Sequence, residues 1–314
     1  MGYKKRRWSG EELGSQSAQR VPYDPGRRAC DTPEHPYYER SAVLATKHDK
    51  LSLIAPALKS AVGLQVEVAI VDTDSLGTFT CEIPRVARPL ETAVAKARLG
   101  MEATGSRLGV ASEGSIGPDP VMPIAVTDRE IVVLVDDERR IVVWEEYMSW
   151  DIVVATTTCR PGESLESFAA SARFPEHRLI VRPNCGSVRP IYKGIDDFEA
   201  LNAAVHECSS ASSDRSARVE TDLRAHACPS RRAIIASAAE RLAFRLASRC
   251  PACGTPGWGR VDVVFGVPCS WCGNEVRLPR SEVDGCPACE HRESRPLVPE
   301  DACVDPGECE ICNP

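Results

Sequence analysis

The sequence contains no run of 18 or more apolar residues, so it predicts no transmembrane helix. Its N-terminus also lacks the apolar stretch that a secretory signal requires. We therefore expect a cytoplasmic protein with no membrane contact. In that reducing compartment we expect the 15 cysteines to be metal ligands, reactive thiols or small buried residues rather than disulfides.

Two motifs of nucleotide and base chemistry are missing as well. The glycine-rich segment 112–120, which we expect to be a loop, is not followed by the Gly-Lys-Ser/Thr triplet of a phosphate-binding Walker A loop. The segment Pro268-Cys269-Ser-Trp-Cys272 matches half of a zinc deaminase signature, but no His-x-Glu precedes it. The sequence thus argues against both classes of enzyme.

An excess of positive charge is also absent. The chain has 38 Lys and Arg against 45 Asp and Glu, for a net charge of −7. Residues 249–314 alone hold six basic and eleven acidic residues, and each four-thiolate zinc site would add about −2. Because Lys and Arg supply most of the affinity for phosphate backbones, nucleic acid is not an expected partner of this segment. A basic protein partner suits it better.

The chain is long enough for one large domain and one small one. Residues 1–39 lack hydrophobic periodicity, which predicts a disordered leader. Strand-like and helical patterns then alternate over 40–248, which predicts an α/β core domain with a largely parallel sheet and flanking helices. Residues 249–314 form a separate, cysteine-rich module.

The cysteine-rich module predicts two structural zinc ions. It contains four Cys-x-x-Cys pairs, and two such pairs supply the four thiolates of one tetrahedral site. Large apolar residues are few, so metal would stabilise a small zinc-ribbon-like fold. The alternatives are an iron–sulfur cluster or a redox pair. The eight predicted ligands are Cys250, Cys253, Cys269, Cys272, Cys286, Cys289, Cys309 and Cys312.

Each Cys-x-x-Cys pair is a zinc knuckle, numbered one to four in chain order. Spacing alone does not decide which two knuckles bind the same ion. We expect the first knuckle to join the second and the third to join the fourth, because neighbouring pairs are separated by fifteen and nineteen residues. The alternative is a cross-braced module, in which the first knuckle joins the third and the second joins the fourth.

Polar residues follow several predicted strands of the core, where ligands of open α/β sheets bind. Paired carboxylates at a strand end favour a divalent cation, and cations at a helix N-terminus favour a phosphate. The alternatives are solvated turns, aspartates that cap backbone donors, and internal ion pairs. The predicted catalytic residues are Asp72, Asp74, Glu82, Glu220, Asp222, Arg224 and His226, and the predicted substrate-binding residues are Lys47, His48, Arg85, Glu113 and Ser115.

Five long segments carry a family resemblance: TKHDK, DTDSLGTFTCEIPR, ASEGSIGPDP, FPEHRLIVRP and ETDLRAHACPSR. With the cysteine pairs and the terminal CEICNP, they resemble an uncharacterised bacterial family, domain of unknown function 6671, from about Arg40 to Pro314. The family pattern has Gly at Cys81 and His at Asp119, so these two are doubtful as site residues. The resemblance implies no assigned activity.

Three functions compete. In the first, the core is an enzyme in which Asp72, Asp74, Glu220 and Asp222 hold Mg²⁺ or Mn²⁺ against a phosphate-bearing, nucleotide-like substrate. There Lys47, Arg224 and Lys96 would neutralise the phosphate, and His226 or Glu82 would transfer protons. In the second, the core binds an anionic ligand without catalysis, and the zinc module docks a protein partner. In the third, the chain processes nucleic acid with help from its basic N-terminus.

Overall fold

A computed structural model describes residues 7–8, 35–47, 49–77, 87–119 and 122–314. The chain divides into two compact units. The central unit is Tyr37–Ala243, and the terminal unit combines Met1–Pro36 with Phe244–Pro314. None of the described helices is long and apolar enough to cross a membrane.

The central unit begins with a sheet that is partly parallel. In chain order it contains β2 (Ser41–Ala45), α1 (Leu51–Val62), β3 (Gln65–Ala69), α2 (Pro89–Thr104), β4 (Leu108–Pro118), β5 (Val126–Asp136) and β6 (Ile141–Ser149), whereas β1 (Arg7–Trp8) belongs to the terminal unit. The strand order is β3-β2-β4-β5-β6. Both β3 and β4 pair with β2 in parallel, so the chain order reverses at β2. Such a switch point is where open sheets bind ligands.

Helix boundaries follow from local sequence. Helix α1 buries Ile54, Leu58 and Val62 at four-residue spacing, and it ends at Gly63, whose φ of 70° suits a residue without a side chain. Helix α2 begins with a proline, and the Glu91 side chain accepts the Arg88 N–H at 3.1 Å. Its buried alanines and Met101 pack on β4 and β5, which forms one apolar core of the central unit.

The rest of the central unit forms a second sheet and two longer helices. Its elements are β7 (Thr156–Cys159), α3 (Glu166–Ser171), β8 (Leu179–Pro183), β9 (Tyr192–Ile195), α4 (Phe198–Ala211), β10 (Ala217–Thr221) and α5 (Pro229–Ala247), whose last four residues belong to the terminal unit. The strand order is β7-β10-β8-β9, and every pairing is antiparallel. Helix α4 is capped by Asp197 and buries Leu201, Val205 and Cys208 against this sheet.

The largely parallel sheet predicted from the sequence is wrong. Only β2–β3 and β2–β4 are parallel among the described strand pairs of the central unit. The chain from β4 to β6 turns back twice through short connections, and short connections join antiparallel strands rather than parallel ones. Segment 112–120, predicted as a loop, instead continues β4 as far as Pro118.

The terminal unit is a small, mostly antiparallel structure. It contains β11 (Gly259–Pro268), β12 (Glu275–Gly285), β13 (Arg292–Pro296) and β14 (Cys303–Val304). The first three form one antiparallel sheet, and β14 pairs in parallel with Arg7–Trp8. Within the range predicted as a leader, His35 and Tyr37 are buried, and most of 1–34 lies outside the described residues. The buried apolar cluster of this unit is thin, as the sequence indicates: Val267, Cys269, Val298, Ala302, Val304 and Cys309.

Gly114 on β4 allows a buried ion pair to form beside the strand. A Cβ there would lie 2.2 Å from Glu130 Oε1 and 2.5 Å from Arg231 Nη2. Both of those side chains are fully enclosed, at 0% and 2% exposure, so they have no room to move aside. Glycine at this position is therefore a requirement of the ion pair.

We predict that Gly114→Ala lowers the free energy of unfolding by at least about 2 kcal/mol, because it displaces a buried ion pair. Gly117→Ala is the matched control, since a Cβ at Gly117 on the same strand meets nothing within 4 Å. Urea denaturation of both variants measures the difference. Equal midpoints would contradict the steric argument.

Candidate metal centres and a buried charged cluster

The eight predicted cysteine ligands come together in two sets of four. Cys250 and Cys253 lie with Cys286 and Cys289, and Cys269 and Cys272 lie with Cys309 and Cys312. Within each set all four sulfur atoms lie within 4.8 Å of one another. The structure therefore contains two four-thiolate sites in the terminal unit, each of which could bind one zinc ion.

Sulfur separations agree with a single ion at each site. Cys253 Sγ lies 3.5 Å from Cys286 Sγ, and Cys250 Sγ lies 3.9 Å from Cys289 Sγ. At the second site, Cys269 to Cys312 is 3.9 Å and Cys272 to Cys309 is 3.7 Å. A tetrahedron with Zn–S bonds of about 2.3 Å has edges of about 3.8 Å. Disulfides would need about 2.05 Å.

The first two knuckles each contain the same type of backbone turn. The N–H of Gly254 donates to the Cys250 carbonyl, and the N–H of Gly273 donates to the Cys269 carbonyl. Both glycines have φ near +70°, the left-handed conformation that glycine adopts without strain. This turn brings the two thiols of a knuckle to the same side.

Backbone donors prepare some of these sulfurs for the thiolate form. The N–H of Trp271 points at Cys269 Sγ at 3.4 Å, and the N–H of Ala288 points at Cys286 Sγ at 3.3 Å. Backbone N–H groups of Cys272 and Trp271 lower the pKa of Cys269 to about 7. Because thiolate is the species that binds zinc, the donors to Cys269 favour metal binding, whereas burial raises the pKa of Cys286 despite its Ala288 donor.

The expected sequential pairing of knuckles is wrong, and the cross-braced alternative is the one observed. Strands β11 and β12 pair from Gly259↔Gly285 to Pro268↔Glu275. This hairpin is about nine residues long, or roughly 30 Å at about 3.3 Å per residue. The first knuckle precedes β11 and the second lies at the hairpin turn, so they are at opposite ends. The third knuckle directly follows β12 and therefore returns to the first.

A sequence signal for this pairing does exist. Two knuckles read Cys-Pro-Ala-Cys, at Cys250–Cys253 and Cys286–Cys289. These identical segments form one site, whereas Cys-Ser-Trp-Cys and Cys-Glu-Ile-Cys form the other. Comparing the knuckle sequences predicts the pairing better than comparing the spacings does.

The two aspartates predicted as a cation site after β3 both accept hydrogen bonds from a lysine. Lys47 Nζ donates to Asp72 Oδ1 at 2.5 Å and to Asp74 Oδ2 at 2.9 Å. Asp72 also accepts the N–H of Asp74, which makes it the cap of a short 3₁₀ turn over Thr73–Leu76. The hydrogen bond from Lys47 lowers the pKa of Asp72. This arrangement matches the alternative in which the aspartates cap backbone donors.

Four of the predicted catalytic residues, Glu220, Asp222, Arg224 and His226, do not lie together on one face of β10. Strand β10 ends at Thr221, and Ala225–Ala227 is a 3₁₀ turn, so strand alternation stops before Arg224 and His226. Glu220 pairs with Arg182 and Arg218, each at 3.0 Å. Asp222 is fully buried and pairs with Arg224 at 2.5 Å. The alternative of local ion pairs is what the structure contains.

The remaining predicted residues fall into two groups. Glu113 accepts from Lys96 at 2.6 Å, and Ser115 lies opposite Arg129 on the paired strand β5. His48, Glu82 and Arg85, together with Cys81, lie outside the described residues. In the described part of the chain, only the two cysteine sets bring three or more His, Cys, Asp or Glu ligands together. The predicted Mg²⁺ or Mn²⁺ site in the core therefore has no support there.

The central unit also contains a buried cluster of charged side chains. The sequence indicates only two of its members, Glu113 and Lys96, as candidate site residues. Arg231 Nε donates to Glu130 Oε1 at 2.5 Å, and Lys50 Nζ donates to Ser112 Oγ at 2.9 Å. Asp128 is fully buried beside Glu130, with which it can share a proton, and neither Asp128 nor Glu130 Oε2 bonds to any other described residue. Burial raises the pKa of Asp128 to about 8, with Glu130 adding to the effect. We define this charged cluster as Lys50, Lys96, Glu113, Asp128, Glu130 and Arg231.

The acids of this cluster lie on β5, which begins at Val126. Both faces of this strand are buried, since Val132 and Leu134 share parity with the two acids and Val133 and Val135 lie on the other face. Strand parity alone therefore does not predict the burial of Asp128 and Glu130.

The sequence profile of the family described as Domain of unknown function (DUF6671) matches residues 96–314. The chain belongs to this family. All eight cysteine ligands of the DUF6671 protein lie inside the matched segment, whereas Lys47, Asp72 and Asp74 precede it. The family resemblance read from the sequence is thus confirmed over residues 96–314, and two of its segments, TKHDK and DTDSLGTFTCEIPR, precede the match. A comparison with curated proteins finds no match.

Zinc counting tests the cross-braced pairing in the DUF6671 protein. We predict two zinc ions per chain, one in Cys253→Ser/Cys286→Ser and none in Cys253→Ser/Cys272→Ser. The first double variant damages a single site, whereas the second damages both. Native mass spectrometry gives the count, and Cys185→Ser, which changes an exposed cysteine of the central unit, should keep both ions. If the first double variant lost both ions and the second kept one, the sequential pairing would be restored.

Proposed function

We propose that the DUF6671 protein is a non-catalytic binding protein stabilised by two structural zinc ions. In this proposal the terminal unit docks a protein partner, and the central unit holds a small anionic, phosphate-bearing ligand. The main support is the sulfur spacing of 3.5 to 3.9 Å in both four-thiolate sets. Zinc bound by four thiolates has no open coordination position, which is typical of a structural site rather than a catalytic one.

The neutralisation of the predicted catalytic acids favours binding over metal-dependent catalysis. Asp72 and Asp74 share Lys47, and Asp222 is bound by Arg224. A divalent ion would have to displace these cations before it could bind. Phosphoester hydrolysis and nucleotidyl transfer through Mg²⁺ or Mn²⁺ therefore stay unsupported by the described residues.

Two exposed apolar side chains support a docking role for the second zinc site. Trp271 is 78% exposed and Ile311 is 65% exposed, and each precedes the last cysteine of its knuckle. The corresponding positions of the first site are alanines, Ala252 and Ala288. Exposed tryptophan is a common anchor of protein interfaces.

The charge around this pair indicates the chemistry of the partner. Segment 300–314 carries five acidic residues and no Lys or Arg. Each zinc bound by four thiolates adds about −2. We infer that the partner is a basic protein segment that also carries an apolar residue. The same thiolates require a reducing compartment, and the cytoplasm is therefore part of the proposal.

Chelation tests the structural role of zinc. We predict that removing both ions abolishes hydrogen-exchange protection of the amides in β11 and β12, because the buried core of the terminal unit is too thin to order these strands. Exchange mass spectrometry on the full chain measures this, with β5 of the central unit as the internal control. Protection that survives verified zinc removal would refute a structural role.

A labelled peptide of alternating lysine and leucine tests the docking role. We expect Trp271→Ala/Ile311→Ala to weaken its binding roughly tenfold, since an anchor residue typically contributes at least about 2 kcal/mol. Alanine at these positions copies the first zinc site, so both ions should stay bound. Val188→Ala removes an apolar side chain of similar exposure, 76%, from the central unit and serves as the control in fluorescence anisotropy.

Either of two results would count against this docking surface. Unchanged affinity in the double variant would show that Trp271 and Ile311 do not anchor the peptide. If a peptide with glutamate in place of lysine bound equally well, the acidity of this surface would not select a basic partner.

A further inference from the structure

The short strand β14 lies against the second zinc site. The N–H of Ser270, inside the second knuckle, donates to the Val304 carbonyl at 3.0 Å, and Cys269 forms an isolated parallel bridge with Val304. Val304 is fully buried in the same apolar cluster as Cys269 and Cys309. One edge of β14 is therefore bonded to the second knuckle, one residue before the exposed Trp271.

The other edge of β14 is occupied by a distant part of the same chain. Strand β1 pairs with it in parallel, with Arg7 opposite Cys303 and Trp8 opposite Val304. Both strands belong to the terminal unit, although they lie near opposite ends of the sequence. Pairing between backbones does not depend on the identity of the side chains, so another extended segment could take the same edge.

The residues around β1 are strongly basic. Residues 4–8 read Lys-Lys-Arg-Arg-Trp, and we call them the basic segment. It contains four cations and one large apolar residue, and the first acidic residue after it is Glu11. Lys4, Lys5 and Arg6 directly precede β1, and the covalent chain keeps each of them within about 12 Å of Arg7. The pairing of β1 with β14 therefore brings this positive charge to the second zinc site.

The docking surface, which comprises Trp271, Ile311 and segment 300–314, has the opposite charge. Its acidic residues are all exposed: Glu300, Asp301, Asp305, Glu308 and Glu310. Zinc bound by the four thiolates of the second site adds about −2. Paired strands lie about 4.8 Å apart, well inside the distance of about 8 Å over which exposed charges attract at physiological salt. Charge and backbone pairing thus favour the same contact.

We propose that the basic segment is an internal ligand of the docking surface and competes there with the protein partner. This role rests on the docking function proposed above, and it regulates that function, because the surface is free for the partner only when the segment leaves β14. The segment has the chemistry inferred for the partner, a basic sequence that carries an apolar residue. A partner that binds by strand pairing needs the edge of β14 that β1 covers.

A weak contact is enough for this competition. A segment tethered to its own binding surface acts at an effective concentration of up to about millimolar. An intrinsic dissociation constant of about 0.1 mM then lowers the apparent affinity of a free partner roughly tenfold. The short pairing of β1, which is two residues long, is consistent with a ligand that a partner can displace.

Two matched variants of the zinc-loaded full chain test the competition. Each replaces three cations by alanine, the segment variant inside the basic segment and the control variant outside it: Lys4→Ala/Lys5→Ala/Arg6→Ala and Arg20→Ala/Arg27→Ala/Arg28→Ala. The net charge changes equally in both. We expect the segment variant to bind the labelled lysine–leucine peptide roughly tenfold more tightly than the parent chain in fluorescence anisotropy. The control variant should bind it with unchanged affinity.

Two results would overturn the internal ligand. If the segment variant binds like the parent chain while Trp271→Ala/Ile311→Ala still weakens binding, the docking role stands without any competition. If both triple variants bind more tightly to the same extent, net charge rather than occupancy explains the change. Native mass spectrometry should count two zinc ions in each variant. Should a triple variant lose zinc, Lys5→Ala and Arg27→Ala replace the pair, with the same direction expected.

A labelled peptide of residues 2–10 tests the contact itself. We expect it to bind the segment variant and to bind the parent chain at least about tenfold more weakly, because the tethered copy already occupies the surface of the parent. Adding Trp271→Ala/Ile311→Ala to the segment variant should weaken this binding as well. The same peptide with glutamate in place of Lys and Arg is the control.

The results with this peptide separate the two proposals. No binding of residues 2–10 to the segment variant would overturn the internal ligand, whether or not the lysine–leucine peptide binds. If residues 2–10 bind but the lysine–leucine peptide binds no form of the chain, the docking role fails whereas the internal contact stands. Binding that ignores the change at Trp271 and Ile311 would place the segment away from the docking surface and would also overturn the competition.

Discussion

The length of the β11–β12 hairpin determines how the terminal unit is built. An antiparallel hairpin of this length holds the segments before β11 and after β12 at one end and its own turn at the other. A zinc ion requires sulfurs about 3.8 Å apart, so no ion can join knuckles from opposite ends. Each end must therefore recruit a later part of the chain. The third knuckle completes the first site, and the fourth completes the second. Two ions bound at these sites would together fix the hairpin, β13 and the final segment.

A structural feature can be predicted from the sequence when it is determined by residues that are adjacent in the chain. A few adjacent residues set the knuckles, their left-handed glycines and the helix ends at Gly63 and Gly105, and the sequence indicates the knuckles. Strand direction in the central unit depends on connection length and on where β4 really ends. Reading 112–120 as a loop conceals the β4–β5 ladder, on which Asp128 and Glu130 are buried. Knuckle pairing depends on contacts between distant segments, which spacing alone does not encode.

The predicted acids of the core illustrate why residue type is a weak guide to a site. Asp72, Asp74, Glu220 and Asp222 have the right chemistry for a divalent cation and stand near strand ends. Each is paired with a cation close to it in the fold: Lys47, Arg182 and Arg218, or Arg224. A carboxylate with such a partner has lost much of its free capacity to bind metal. A sequence shows the acid and often the cation, but not that they meet.

The two units handle surplus charge in opposite ways, and this difference locates the functions proposed for them. The terminal unit concentrates eight thiols where ionisation without metal would be costly, and two zinc ions would absorb that negative charge while the remaining acidity faces outwards. The charged cluster of the central unit has Lys50 and Arg231 in the interior, at helix ends that already favour anions. There Glu130 pairs with Arg231 and Glu113 pairs with Lys96. Buried charge is costly unless it is paired, and these carboxylates supply the pairing from within the unit. The thiols of the terminal unit have no such protein partner, so a metal would have to take that role.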